Sequence, residues 1–351
     1  MSKIQNGKPI SITSAGNFFE GLAPITHGSK RGYINKHGEF VVPMIYDEGG
    51  IPSEGLIAVR KGKSWGVVDF NNKTVVSFIY DKISNFSEGL CAVCKNDKWG
   101  FVDKSGNEVI PLTYDAVEDF AQGLCPVLKD NDKWGYIDRN EKTVIPFIYE
   151  FAEPIYGYFG KVGQNGLCGF INKKGELIIP CEYEEHLSYT YEEPYIGLTK
   201  DEEYWGIFDH EGDILVSGIK ASMIEEFCDG IALIEHNDKM GAINPKGELI
   251  IPCEYDMLID YSEGLIAAQK DGKYGFIDKD SNIVIPFMYK TARSFSCGLA
   301  YVETDKGCFY INKNNEVIIS MQKSSIQNKM TGCIVAAIAI IAIAAYFLTQ
   351  I

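Results

Sequence analysis

The chain has 351 residues, 46% of them apolar and 23% charged, which supplies a sizeable core and excludes wholesale disorder. A formal net charge of −15 excludes a general electrostatic grip on DNA or RNA, because that needs clustered Lys and Arg. An excess of Gly (35), Tyr (20) and Phe (19) favours strands and tight turns over helices.

The opening residues, MSKIQNGKPISITSAG, contain no apolar run of the secretory type. Residues 1–15 are read as an N-terminal extension. From residue 16 a repeat takes over. A dipeptide ending in Gly recurs as Arg31-Gly32, Trp65-Gly66, Trp99-Gly100, Trp134-Gly135, Cys168-Gly169, Trp205-Gly206, Met240-Gly241 and Tyr274-Gly275, with Cys308-Phe309 as a degenerate ninth copy. The steps are 34, 34, 35, 34, 37, 35, 34 and 34 residues, and all four Trp fall at this one position. Eleven residues later a β-branched run closes on Pro43, Ser77, Pro111, Pro146, Pro180, Ser217, Pro252, Pro286 or Ser320. Three further on stands a Tyr, such as Tyr114 or Tyr149, in seven copies. Upstream lies a Ser-Glu-Gly-Leu signature, as in FSEGL from Phe86 to Leu90.

The third copy reads physically. A strand over Leu90–Lys95 meets Asn96-Asp97, a hairpin signal. A second strand over Lys98–Asp103 is followed by a turn at Lys104 to Asn107, where Gly106 suits positive φ. A third runs from Glu108 towards Tyr114 and ends near Pro111, because Pro cannot donate to a ladder. Each unit is thus a three-stranded antiparallel meander plus a loop of about ten residues. Such a unit cannot enclose its own core, so neighbours must stack. Gly66, Gly100, Gly135 and Gly206 mark a close approach, and Trp65, Trp99, Trp134 and Trp205 are expected to lie over a neighbouring unit, beside the Tyr of the third strand.

At these residues the chain resembles the WG-repeat family, named for its Trp-Gly dipeptide. KWGFVD (Lys98 to Asp103) with EVIPLTYD (Glu108 to Asp115), and KWGYID (Lys133 to Asp138) with TVIPFIYE (Thr143 to Glu150), match its unit almost fully. The resemblance spans about residues 16–322. It implies an interaction surface and carries no family-wide catalytic residue.

The least regular stretch is Phe151 to Tyr204. Between Glu182 and Glu203 eight acids face Lys200 alone, a formal −7, with Tyr residues interleaved. Glu184, Glu185, Tyr189, Tyr191, Glu192, Glu193 and Tyr195 form a candidate surface for a basic protein partner. After a linker at 323–331, Gly332 to Ile351 holds no charge across 20 residues, which as a helix spans roughly 30 Å, the thickness of a bilayer's hydrocarbon core. A lone strand in lipid cannot satisfy its backbone, so a transmembrane helix is expected there. Lys323 and Lys329 precede it and favour a cytosolic repeat domain.

No catalytic constellation is visible. The five His occupy unrelated or turn positions, and no nucleophile elbow, phosphate loop or zinc-protease motif occurs. Asp69, Asp103, Asp138, Asp209 and Asp278 alternate with Asn35, Asn172, Asn244 and Asn312 and are read as turn residues. The ten Cys show no disulfide or zinc spacing and are read as small buried groups. The expected fold is all-β: nine three-stranded units in an open superhelix, with a closed propeller-like array as the alternative, then one transmembrane helix. The expected role is a non-catalytic, membrane-tethered scaffold facing the cytosol, without cofactor, metal or nucleic acid. A ligand- or glycan-binding repeat module is the alternative.

Overall fold

The computed structural model describes residues 10–130, 132–183, 193–200 and 203–323. Their strands form nine sheets, one for each repeat. Blade three contains Lys82–Ser87, Leu90–Lys95, Lys98–Asp103 and Glu108–Tyr114, each antiparallel to the next. The last three are the expected meander. The segment read as a loop is a further strand, so a complete blade has four. Lys82–Ser87 hides this because only Phe86 on it is buried, leaving no apolar alternation to read. Blades five and six have three strands each among the described residues.

The expected open superhelix is not what forms: the nine blades close into a ring, a β-propeller. Ile10–Ile12 runs parallel to Val317–Lys323 of blade nine, with Ile10 opposite Met321. Thr13 N–H donates to Thr26 O at 2.7 Å, as Asp47 N–H donates to Arg60 O at 2.9 Å one repeat later. Residues 10–12 therefore stand where the tail of a preceding blade would. Tyr310 OH donates to Gly16 O across the closure, the same bond that Tyr33 makes to Gly50 O (2.7 Å) and Tyr136 to Glu153 O (2.8 Å) between sequential blades. Ile12, Phe18 and Ile25 share one core cluster with Tyr310, Ile319 and Met321. Thirty-four residues suffice for four strands because the chain passes from Tyr114 into the next blade's Ala116–Val117 through Asp115 alone.

Core clusters lie in the seams. One joins Phe101 and Tyr114 of blade three to Cys125, Val127 and Ile137 of blade four. Another joins Tyr136 and Tyr149 of blade four to Ile155 and Val162 of blade five. Both faces of a blade's middle strands are therefore covered, which is why Cys91 and Cys94, on opposite faces of one strand, are both buried. Burial pushes the Cys91 thiol well up.

The Trp-Gly position has a backbone cause. Trp99 pairs with Tyr114, and Phe101 pairs with Ile110, so two steps on one strand face four on the other. Pro111 sits in the resulting bulge and continues the strand rather than ending it. The bulged strand crosses directly over the glycine: a Cβ at Gly100 would lie 2.7 Å from the Pro111 carbonyl carbon, and one at Gly135 would lie 2.9 Å from Ile145 O. In blade six the excursion is shorter by one residue, with Trp205 opposite Ile219 and Gly206 opposite Ser217, and a Cβ there would meet Val216 O only at 3.6 Å. In blade nine Phe309 replaces the glycine and pairs directly with Ser320.

Gly100→Ala should therefore cost about 1–3 kcal/mol by forced overpacking. Gly206→Ala, where the nearest atom is 3.3 Å away on a side chain, should cost less. Chemical denaturation of the two variants measures the difference, and equal losses would contradict the crossing-strand account.

Candidate functional site

The blades are tied at the turn between their first and second strands. Its two central residues take positive φ, as at Glu88 (52°) and Gly89 (79°), the pattern of a two-residue hairpin turn. Gly fills the second place in seven blades: residues 21, 55, 89, 123, 230, 264 and 298. The Glu reaches the next blade. Glu54 accepts from Gly89 N–H at 3.0 Å, Glu88 from Gly123 N–H at 2.9 Å, and Glu263 from Gly298 N–H at 3.0 Å. The Ser does the same: Ser53 Oγ donates to Phe86 O at 2.6 Å and Ser87 Oγ to Phe120 O at 2.7 Å. A cation of the following blade braces three of these carboxylates, Lys104 on Glu54 (3.0 Å), Arg139 on Glu88 (3.3 Å) and Lys313 on Glu263 (3.3 Å). The Ser-Glu-Gly signature is thus a seam clamp.

The signature is rewritten at blades five and six, and a cleft of about 700 Å³ opens there. Strand register assigns the positions. Tyr158 takes the glycine place in blade five, one residue before Phe159, which bridges to Tyr156 as Leu90's counterparts do elsewhere. Tyr195 pairs with Asp209 as Leu90 pairs with Asp103, so Pro194 takes the glycine place in blade six and Glu193 the glutamate place. Proline cannot reach positive φ, so the usual turn cannot form. Tyr158, Pro194, Tyr195, His210, Leu215 and Pro245 are among the lining residues. Tyr158 is 45% exposed, and its ring lies 4.9 Å from that of His210, centre to centre. His210 and Pro245 occupy the place held by Lys104 and Arg139 in blades three and four. Tyr195 is half-buried against Phe227 at 5.7 Å.

A second feature lies on the inner edges, where first strands carry carboxylates. Burial lifts the Glu118 carboxyl to about 8, with Asp119 and Glu153 adding to the shift. Glu225 rises to about 7 through burial, Asp260 and Glu226. Glu226 rises to about 7 through burial, Asp260 and Glu153. Glu153 of blade five thus acts on blades four and seven, which places these groups around the ring axis. Lys161, itself buried, lies 3.9 Å from Glu153, and Ser294 Oγ donates to Asp260 at 3.4 Å. Among the described residues no group of three or more His, Cys, Asp or Glu could hold a metal ion.

Of the residues singled out in the sequence, Trp65, Trp99 and Trp134 sit opposite Tyr80, Tyr114 and Tyr149 on adjacent strands. Trp205 Nε1–H donates to Ala221 O at 2.9 Å. All nine Asp and Asn positions serve their turns, as Asp103 does by accepting from Ser105 N–H (2.8 Å) and Asn107 N–H (2.9 Å). Tyr195 lines the cleft and Glu193 directly precedes the lining residue Pro194; Glu184, Glu185, Tyr189, Tyr191 and Glu192 lie outside the described residues, as does Gly332 to Ile351. No helix among the described residues is long and apolar enough to cross a membrane. Tyr158, His210 and Pro245 escaped the sequence reading, although each departs from what the repeat carries at its place.

The axial carboxyls hold protons that an unfolded chain releases near pH ~4.5. Their stabilisation is complete below that value and is lost as pH rises through about 7 and about 8. The melting temperature should fall between mildly acidic and mildly alkaline buffer, and Glu118→Gln with Glu225→Gln should flatten the profile. A melting temperature that climbs over this range would contradict the assignment.

The sequence pattern of the WG containing repeat family matches residues 32–64, 65–99, 99–133, 134–168, 169–204, 240–274 and 274–308. No curated protein matches the chain. Among solved structures, a eukaryotic initiation factor is similar at a TM-score of 0.55 and 9% identity, covering 78% of this chain and 86% of that one. The computationally designed Ika8 protein gives 0.42 at 9% identity over 89% and 96%. Hsv2p of Kluyveromyces lactis gives 0.42 at 11% identity over 66% and 92%. At these identities the first likeness supports the fold alone. With seven repeats matched, the chain belongs to the WG containing repeat family.

Proposed function

We propose that this chain is a non-catalytic binding module whose ligand or partner enters the cleft at blades five to seven. The observation that carries this reading is a coincidence. The cleft lies where the seam signature is rewritten, with Tyr158 and Pro194 at the glycine place and Tyr195 at the leucine place. About 700 Å³ is within the usual size of a ligand pocket, and exposed aromatic rings supply contact area at low entropic cost. The apolar run Gly332 to Ile351 supports a further element, a tether that holds the ring on the cytosolic face of a membrane as a scaffold.

A photo-crosslinking residue at Tyr158 of the full-length protein should capture a defined partner in cells, whereas one at exposed Val109 of blade three should not. Equal capture at both places would sink the cleft as the contact site. The tether is separable. Full-length protein should stay with the membrane fraction in alkaline carbonate, and its release would show that the tail does not span.

A further inference from the structure

We infer that the cleft receives an arginine side chain of a peptide partner, and that Glu193 is the carboxylate that pairs with it. This rests on the cleft being the binding surface. The ring displays the chemistry three times within itself. At Glu54–Lys104, Glu88–Arg139 and Glu263–Lys313 the acid comes from the positive-φ turn, and the cation comes from the residue after the turn Asp or Asn of the following blade. The cation also donates to the backbone carbonyl of that Glu, as Lys313 does to Glu263 O at 2.6 Å and Lys104 to Glu54 O at 3.3 Å. Arg139 adds a ring contact, with Cζ 5.8 Å from the Phe120 centroid.

Blade six keeps half of this arrangement. Glu193 holds the place of Glu88, by the register of Tyr195 on Asp209. In blade seven the residue after the turn Asn244 is Pro245, which has no donor. No ion pair to Glu193 occurs among the described residues, and the side chain is half-buried. The seam has therefore retained its acid and lost its base, beside the cleft that Pro194, Tyr195 and Pro245 line.

The lysines that follow Glu193 along blade six are already paired. Lys200 is held by Glu182 at 2.7 Å and Lys220 by Glu203 at 2.9 Å, so neither serves Glu193. Glu211 lies 3.5 Å from His210 at the rim. Lys246 is the one Lys or Arg among the lining residues. Tyr158, Tyr195 and His210 offer ring faces, which suit a planar guanidinium better than an ammonium.

The test uses full-length protein in detergent micelles with labelled octapeptides of arginine, lysine and citrulline, the last a neutral isostere of arginine. The arginine peptide should bind, the lysine peptide more weakly and the citrulline peptide not at all. Glu193→Gln should weaken binding of the arginine peptide by about tenfold or more, the scale of one charge-assisted hydrogen bond. Pro245→Lys should weaken it as much, by giving the seam its own cation, without lowering the melting temperature. Glu108→Gln, on the outer strand of blade three, should change neither. Unchanged binding in both cleft variants would overturn the inference, as would equal affinity for the citrulline peptide. If an oligosaccharide bound the cleft and the arginine peptide did not, the inference would fall while the binding reading stood. Loss of partner capture at Tyr158 would remove that reading itself.

Discussion

The fold depends on one close approach, a strand passing over a glycine within van der Waals contact. In most blades the fourth strand does not pair straight; blade six, with a shorter excursion over Gly206, reaches the next blade without the close crossing. The two-residue excursion over Gly100 carries the chain across, so that Tyr114 lies beside Trp99 and Asp115 alone separates it from the next blade. Glycine is required because a Cβ would occupy the space of the crossing backbone. Blade nine shows the converse. Phe309 stands in the glycine's place, and the strand passes it in direct register, Phe309 opposite Ser320. The Trp of the dipeptide is therefore the negotiable half: Arg31, Met240 and Tyr274 replace it beside glycines that all lie under a crossing strand.

Much of this was legible in the sequence. The strands Leu90–Lys95, Lys98–Asp103 and Glu108–Tyr114 follow from turn chemistry and β-branched runs, and their observed bounds agree. The turn role of the Asp and Asn positions was equally plain, since a short acceptor side chain two residues before a turn N–H has little else to do. The first strand was not legible, because an inner edge that meets solvent carries no apolar stripe. Closure was not legible either. The seams of the regular blades share one local chemistry, and a ring differs from a superhelix only in the sum of nine small rotations. The clue lay in the N-terminal extension, where Pro9-Ile10-Ser11-Ile12 repeats the tail pattern of Pro43-Met44-Ile45-Tyr46 at the repeat spacing.

The cleft illustrates a different limit of pattern reading. Counting back from Trp205-Gly206 puts Tyr195 at the glycine place, because the intervening hairpin of blade six is one residue longer. Strand pairing puts Pro194 there instead, and with it Glu193 at the glutamate place. Only then does the missing cation become visible. Departures from a repeat are informative when the positions are assigned by backbone pairing, since a clamp has two halves on different blades and each half alone resembles ordinary drift. The inner carboxylates follow a related logic. Ring geometry gathers one residue per blade at the axis, so acids that are unremarkable in sequence raise one another's proton affinity in space.

Closure by the first strand also sets an order of events during synthesis. Ile10–Ile12 leaves the ribosome about 300 residues ahead of its partner Val317–Lys323. At about 5–20 residues per second, the open edge of the nascent array waits roughly 15–60 s for its mate. Through that interval an unpaired strand edge and one apolar seam face of blade one are available to other chains. The polar inner strands and the bulged outer ones, which pair poorly with strangers, are then as much a protection of the growing array as a feature of the finished one.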